Sequence, residues 1–66
     1  MDTPANRDLP LALDPTATAK AAGISRGLLY KLWRQGGGPP FIRLGNDRRV
    51  LIVDLRAWLE NLRVTA

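Results

Sequence analysis

The clearest hydrophobic pattern runs from Ala19 to Trp33, where apolar residues recur at helical spacing on both sides of a turn signal. The small residues before the turn lead to Gly23, which can adopt positive φ without strain. Ser25 follows as an N-cap candidate, because its hydroxyl can accept a hydrogen bond from an otherwise unpaired amide. The stretch therefore predicts two short helices joined by a tight turn.

The first predicted helix runs from Pro15 to Ala22. Asp14 supplies a capping carboxylate, and a proline at the first helical position loses no hydrogen bond. The segment has no large apolar residue, so its packing must be close and must use Ala17, Ala19 and Ala22. We therefore expect a near neighbour, which the second helix would provide.

The second predicted helix runs from Arg26 to Gln35 and ends at Gly36 or Gly37, where glycine fits a left-handed cap. Apolar positions alternate with basic and aromatic ones at helical spacing. The apolar set is Leu28, Leu29, Leu32 and Trp33, and the other set is Arg26, Tyr30, Lys31 and Arg34. A basic, aromatic outer face across a sharp turn from a small-residue helix is typical of a helix presented to a DNA groove.

A β-hairpin is predicted after the double proline Pro39-Pro40. The pattern assigns one strand to residues 41–44, a three-residue tip to 45–47 and the return strand to 48–52. Three arginines, Arg43, Arg48 and Arg49, surround the tip and would repel one another unless an anion binds there. Alternatively, Asp47 pairs with one of them and the others are solvated. The apolar run 50–53 indicates that part of the return strand is covered on both faces.

A third helix is predicted from Leu55 to about Leu62, with Asp54 as its cap or first-turn acid. Its apolar stripe consists of Leu55, Trp58, Leu59 and Leu62. We expect Trp58, and also Trp33 of the second helix, to be core residues.

Composition narrows the choice of function. The 66 residues allow one domain, which we place at residues 12–66 after a flexible leader at 1–11. The first 14 residues have a net charge of −2 and the remainder +6, which suits a polyanionic partner. The absence of cysteine and histidine excludes a disulfide framework and a zinc finger, so we expect no metal, no cofactor and no enzymatic activity. With no membrane-span or signal-peptide pattern, we expect a cytoplasmic protein.

An ordered set of short motifs resembles the excisionase and AlpA-like small helix-turn-helix proteins of the MerR-like winged-helix group. The motifs are Asp14-Pro15, Ala19 with Gly23-Ile24-Ser25-Arg26 and Leu29-Tyr30, Pro39-Pro40-Phe41 with Arg43-Leu44-Gly45 and Arg48-Arg49, and Asp54-Leu55 with Trp58-Leu59. The sequence departs from the family pattern at Ala17, near a position often held by glutamate, and at Leu28, often threonine.

The resemblance implies a mainly α fold with a small β-hairpin: a winged helix-turn-helix with a two-stranded wing and a closing helix. It also implies binding of double-stranded DNA, with the second helix in the major groove and the wing on the backbone or minor groove. An excisionase acting with an integrase and an AlpA-like transcriptional regulator both fit. A single copy reads few base pairs, so further copies on adjacent sites or a partner protein would be needed.

We hypothesise that Ser25, Arg26, Gly27 and Tyr30 face the groove. Arg26 is the candidate for a bidentate contact to guanine, and Gly27 would allow close backbone approach. Phosphate contacts would come from Tyr30, Lys31, Arg34, Arg43, Arg48 and Arg49. A rival interpretation is a protein-interaction module, such as an antirepressor, that uses the apolar surface of the second helix. RNA binding is a third alternative. Leu28 is either a core residue or an apolar contact to a thymine methyl.

Overall fold

The computed structural model describes residues 10–64, which form three helices and a small antiparallel sheet. This is a winged helix-turn-helix, as the sequence predicts. Residues 1–9 of the predicted leader lie outside the described residues. In chain order the elements are β1 Ala12–Leu13, α1 Pro15–Ala22, α2 Arg26–Arg34, β2 Ile42–Leu44, β3 Asp47–Leu51 and α3 Ile52–Asn61.

Helix α1 has the predicted bounds, and its N-terminus is closed by the predicted cap. A carboxylate oxygen of Asp14 accepts a hydrogen bond from the Ala17 amide at 2.8 Å. Pro15 occupies the first turn. The cap satisfies a backbone donor that has no partner inside the helix.

The turn between α1 and α2 is the one that the sequence predicts. Gly23 has φ +78°, and the Ile24 amide donates to the carbonyl of Ala19 at 3.0 Å, as in a Schellman ending. Ser25 then accepts a hydrogen bond from the Leu28 amide at 3.0 Å, which starts α2. Both helix ends at this turn are therefore capped locally.

The end of α2 differs slightly from the prediction. The helix ends at Arg34, and Gln35 is its C-cap residue. Gly36 has φ +81°, and the Gly37 amide donates to the carbonyl of Leu32 at 2.8 Å. This left-handed glycine closes the helix one residue earlier than predicted.

The hairpin has a shorter tip than predicted. Leu44 pairs with Asp47, so Gly45 and Asn46 alone form the turn and the three-residue tip is wrong. Gly45 has φ +67°, and no non-glycine residue has positive φ among those described, as in a type II′ turn. The backbone twist of such a turn matches that of the flanking strands. Strand β3 therefore starts at Asp47 and ends at Leu51, in each case one residue earlier than predicted.

A third strand, β1, was missed by the sequence prediction. Ala12 pairs with Leu51 and Leu13 with Val50, which makes β3 the central strand in the order β1-β3-β2. Two residues are too short to show a period of two, so pairing with β3 decides their conformation. The wing hairpin is thereby extended into a three-stranded sheet.

Helix α3 starts at Ile52, three residues before the predicted start at Leu55. The apolar run thus divides: its first half ends β3, and its second half begins the helix with Val53 71% exposed. The N-cap residue Leu51 makes no side-chain cap bond, and Asp54 is a first-turn acid. The carbonyl of Leu11 accepts a hydrogen bond from the Ile52 amide at 3.0 Å instead.

The core is small and draws on α1, α2, β3 and α3. Its most buried side chains are Thr18, Ala19, Leu29, Val50 and Leu55, and Pro39 in the linker before the wing is also fully buried. Helix α1 thus contributes two small side chains, Thr18 and Ala19, and each of the other two helices contributes one leucine. The sequence prediction of close packing through Ala19 is confirmed, because this residue is only 3% exposed.

The predicted stripe of α3 is only partly buried. Leu59 is 36% exposed and Leu62 is 55% exposed, although both share the helical spacing of the buried Leu55. Helical periodicity identifies a face of the helix, but tertiary packing decides how much of that face is covered. Leu59 borders an apolar cavity that Ala21 of α1 also lines.

Candidate nucleic-acid interface

The first turn of α2 is exposed and positively charged. Arg26 is the first residue of the helix, and no acidic residue lies in this turn. Its Nη1 donates a hydrogen bond to Oγ1 of Thr16, on α1, at 3.1 Å. Because the helix dipole disfavours a cation at the N-terminus, the charge of Arg26 does not stabilise α2.

Gly27, the second residue of α2, is not required by packing. A Cβ atom built at this position would have Oγ of Ser25 at 4.0 Å as its nearest neighbour, an ordinary van der Waals distance. A glycine inside a helix costs about 0.5–1 kcal/mol relative to alanine. The fold itself would therefore tolerate a side chain here.

Leu28 is not a core residue. Its side chain is 40% exposed, whereas that of the adjacent Leu29 is fully buried. Of the two roles left open for Leu28, this exposure disfavours the core residue, because the side chain lies on the outer side of α2. The apolar spacing alone did not separate the two neighbours.

Three further predicted contact residues lie along α2. Lys31 and Arg34 are exposed, whereas Tyr30 is half-buried. The Tyr30 ring meets the Trp33 ring edge-on, with centroids 5.5 Å apart and planes at 79°. Tyr30 is thus part of an aromatic contact in addition to its predicted place on the outer face.

The two tryptophans hold the linker between α2 and the wing. Nε1 of Trp33 donates to the carbonyl of Pro39 at 2.8 Å, and Nε1 of Trp58 donates to the carbonyl of Gly37 at 3.0 Å. A Cβ atom at Gly38 would lie 2.5 Å from Cδ1 of Trp33, so this glycine is needed for close approach. Both tryptophans are half-buried, and neither is a fully buried core residue.

On the wing, Arg49 makes an intramolecular ion pair. Its Nη2 lies 3.5 Å from a carboxylate oxygen of Asp47, and its Nη1 donates to the carbonyl of Arg48 at 2.9 Å. This is the pairing that the sequence analysis left open. Asp47 remains 68% exposed, so the pair is solvated and contributes little to stability.

The other two wing arginines, Arg43 and Arg48, are directly opposite each other on β2 and β3. The Arg48 guanidinium carbon is 4.8 Å from the centroid of the Phe41 ring, 5.0 Å from that of Trp33 and 5.7 Å from that of Tyr30. Arg43 lies 5.8 Å from the Phe41 centroid. All these distances are within the range of cation–π attraction.

This aromatic cluster borders an open cleft of about 330 Å³ between the second half of α2 and the wing. Its lining residues are Tyr30, Trp33, Arg34, Phe41 and Arg48. Sequence reasoning missed the part played by Phe41 and Trp33. The available signal was two aromatic residues three apart on a helix, followed by another aromatic directly after Pro39-Pro40.

A second cavity, of about 250 Å³, is mostly apolar and lies between α1 and α3. Its lining residues are Ala21, Ile52, Leu55, Arg56, Leu59 and Glu60. It contains none of the predicted contact residues.

Within residues 10–64, no three carboxylate, cysteine or histidine side chains are close enough together to hold a metal ion. None of the helices in this described part is long and apolar enough to cross a membrane. The chemistry that the interface offers is therefore that of guanidinium, ammonium, hydroxyl and backbone amide groups.

A helix-turn-helix domain family model matches residues 12–63, which covers most of the chain and every helix and strand described above. No curated protein matches the chain. The matched region includes the capped turn at Gly23, helix α2 and the arginine-bearing wing, and such a domain supports a DNA-binding role. The chain belongs to the helix-turn-helix domain family.

Proposed function

We propose that this protein is a sequence-specific double-stranded DNA-binding protein that acts as an excisionase, a recombination directionality factor, together with an integrase on a mobile element. The observation that carries the DNA-binding part is the placement of cations where they do not stabilise the fold. Arg26 lies at the positive end of a helix dipole, and Arg43 lies opposite Arg48. Residues that violate local stability rules are expected at functional sites.

In this proposal the first turn of α2 enters the major groove. Arg26 makes a bidentate contact to guanine, because the N–H donors of a guanidinium match the two acceptors on the guanine edge. Gly27 allows the backbone to approach the DNA. Ser25 caps the helix by accepting from the Leu28 amide, and the two preceding amides of the first turn are the ones that can donate to a phosphate. The hydrogen bond to Thr16 holds Arg26 in place before DNA arrives.

The remaining contacts are to phosphates on either side of the groove. The DNA backbone beside α2 is contacted by Tyr30, Lys31 and Arg34. The DNA backbone or minor groove beside the wing is contacted by Arg43 and Arg49. Arg49 exchanges its solvated ion pair with Asp47 for a phosphate, which is inexpensive because exposed pairs are weak.

DNA binding is tested by measuring affinity for a footprinted site at several salt concentrations. If the four cations assigned to phosphates each neutralise one, log K should fall with log[salt] at a slope of roughly −3 to −4. A slope near zero would contradict DNA binding through these cations. The excisionase assignment rests on the motif resemblance, and an AlpA-like regulator with the same fold is the alternative.

Footprinting on two classes of DNA separates these two roles. An excisionase protects the attachment region of its element and increases excision when the element's integrase is added. A transcriptional regulator protects promoter DNA and leaves excision unchanged. Tandem protected sites would also reveal several copies bound side by side.

A protein-interaction module remains the rival from another class, and the 40% exposure of Leu28 favours it. That rival predicts that Leu28→Ala abolishes function while Arg26→Ala leaves it intact. Our proposal predicts the larger loss of DNA affinity for Arg26→Ala. Both variants change exposed side chains, so the fold should survive in each.

A further inference from the structure

We propose that Arg48 is a positioning residue that sets the angle between the wing and α2, in contrast to Arg43, which is available to DNA. This inference rests on the proposed DNA-binding function and deepens it. It reassigns one of the three wing arginines from phosphate contact to a cation–π link across the cleft.

Alternation along β3 places Arg48 on the same face of the sheet as the fully buried Val50. That face packs on the helices, whereas Asp47 and Arg49 lie on the opposite face. Arg48 and Arg49 are both half-buried, but the Arg48 guanidinium is the one that lies over rings of α2. The register thus directs its guanidinium toward α2.

Two aromatic rings of α2 and one from the wing surround this guanidinium. Its carbon lies 4.8–5.7 Å from the centroids of Phe41, Trp33 and Tyr30. Trp33 also contacts Phe41, with centroids 5.0 Å apart, and is tied to Pro39 through its indole N–H. Arg48 therefore bridges the last turns of the helix and the wing at the point where the linker is already constrained.

The pair Arg43 and Arg48 makes this arrangement chemically distinctive. Like charges directly opposite each other in an antiparallel pair destabilise a sheet. The Arg48 guanidinium offsets this repulsion through cation–π contacts with three rings. The Arg43 guanidinium has one such contact, 5.8 Å from the centroid of the Phe41 ring. Arg43 is exposed, so it is the member of the pair that can leave its ring for a phosphate at little cost.

The test compares matched substitutions at the two opposed positions. Arg48→Lys keeps the charge but loses the planar group that stacks on rings. We expect it to lower DNA affinity roughly 3- to 30-fold, the range that corresponds to a cation–π contact, with the salt slope unchanged. Arg43→Lys should lower affinity less than Arg48→Lys does, because a phosphate accepts either cation, and Arg43→Gln should reduce the salt slope by about 1.

A spectroscopic readout makes the test independent of DNA. In ¹H–¹⁵N spectra of the free protein, Arg48→Lys should shift the Trp33 indole signal while that of Trp58 stays in place. Neither Arg43 variant should shift the Trp33 signal comparably. Phe41→Leu, which removes one ring and leaves both charges, should reproduce the affinity loss of Arg48→Lys without changing the salt slope.

The proposal is overturned if Arg48→Lys binds as wild type while Arg48→Gln lowers the salt slope by about 1, since Arg48 would then be a phosphate ligand. It is also overturned if the Trp33 indole signal is insensitive to Arg48→Lys. Failure of the wild-type protein to bind DNA would instead contradict the proposed function. In that case the indole shift would still decide whether Arg48 links the wing to α2.

Discussion

The two ends of α2 are built in opposite ways. At its start, Arg26 and Gly27 are exposed, and their known contact is one hydrogen bond from Arg26 to Thr16. At its end, Trp33 is held by a hydrogen bond, by neighbouring rings and by the close approach of Gly38. One helix thus has an open end available to a ligand and a closed end joined to the wing.

This difference shows how a domain of this size can position a binding surface. A chain of 66 residues has a core worth only about 3–5 kcal/mol, so few contacts are available to orient its elements. Fixing the closed end of α2 to the linker and the wing orients the whole helix. The open end is then free to carry residues that oppose stability but suit a polyanion.

The largest expected effect is at the closed end. Gly38→Ala should lower the free energy of unfolding by about 1–3 kcal/mol, because its Cβ would collide with the indole of Trp33. Urea denaturation followed by tryptophan fluorescence measures this change. Gly37→Ala is the matched control, since no atom lies within 4 Å of its Cβ position and its φ is not positive. Equal denaturation midpoints for the two variants would contradict the claim that close packing of Gly38 against Trp33 holds the closed end of α2.

At the open end, Arg26→Gln should weaken binding to a specific site by about 1–3 kcal/mol, the value of a bidentate base contact. The free energy of unfolding should stay the same or rise by about 0.3–1 kcal/mol, because a cation leaves the positive end of the helix dipole. Fluorescence anisotropy with specific and scrambled DNA measures the first effect. Arg63→Gln, which removes the same charge after α3, is the control; comparable losses of specificity in both variants would contradict a base contact.

Gly27→Ala should have opposite effects on stability and binding. The free energy of unfolding should rise by about 0.5–1 kcal/mol, because alanine loses less backbone entropy in a helix and meets no steric obstacle here. DNA affinity should fall if the backbone approaches the groove closely. Thermal unfolding and anisotropy on the same sample check both effects. A more stable variant with wild-type affinity would show that Gly27 does not face DNA.

The smallest effect is expected at Thr16, which accepts the hydrogen bond from Arg26. Thr16→Val should change stability by less than about 0.5 kcal/mol, as is usual for an exposed site. The ratio of specific to non-specific affinity should fall by about twofold, because Arg26 loses its partner. Thr16→Ser keeps the hydroxyl and should bind as wild type; a loss in Ser equal to that in Val would exclude the hydrogen bond as the cause.

Local signals accounted for much of the fold. Asp14, Ser25 and Gly23 act through their own or neighbouring backbone atoms, so the cap and turn they form were predictable from sequence spacing. The predictions that were wrong concern positions whose structure depends on residues far away in the sequence. Ile52 begins a helix, although the apolar run predicts a strand there, and Leu59 has the predicted stripe spacing but is 36% exposed.

For the candidate site, residue type and spacing were enough to identify the cations that the protein carries and to place one of them, Arg26, at the start of a capped helix. They also determined the glycine and proline linker and the existence of a hairpin with arginines near its turn. These features follow from residue type and spacing, which act over a few positions along the chain. They were sufficient to predict a winged helix-turn-helix.

Only the tertiary structure separated the three wing arginines. Arg49 pairs with Asp47, Arg48 lies among rings contributed by α2 and the wing, and Arg43 stays exposed. Their sequence neighbourhoods are nearly equivalent, so no local rule distinguishes them. Strand register separates Arg49 from Arg48, because a β-strand alternates its faces and only Arg48 shares the face of the buried Val50. Strand order separates Arg43 from Arg48: the two-residue tip places them opposite each other on one face, but Arg43 stands on the edge strand β2 and Arg48 on the central strand β3, where it reaches the rings of α2.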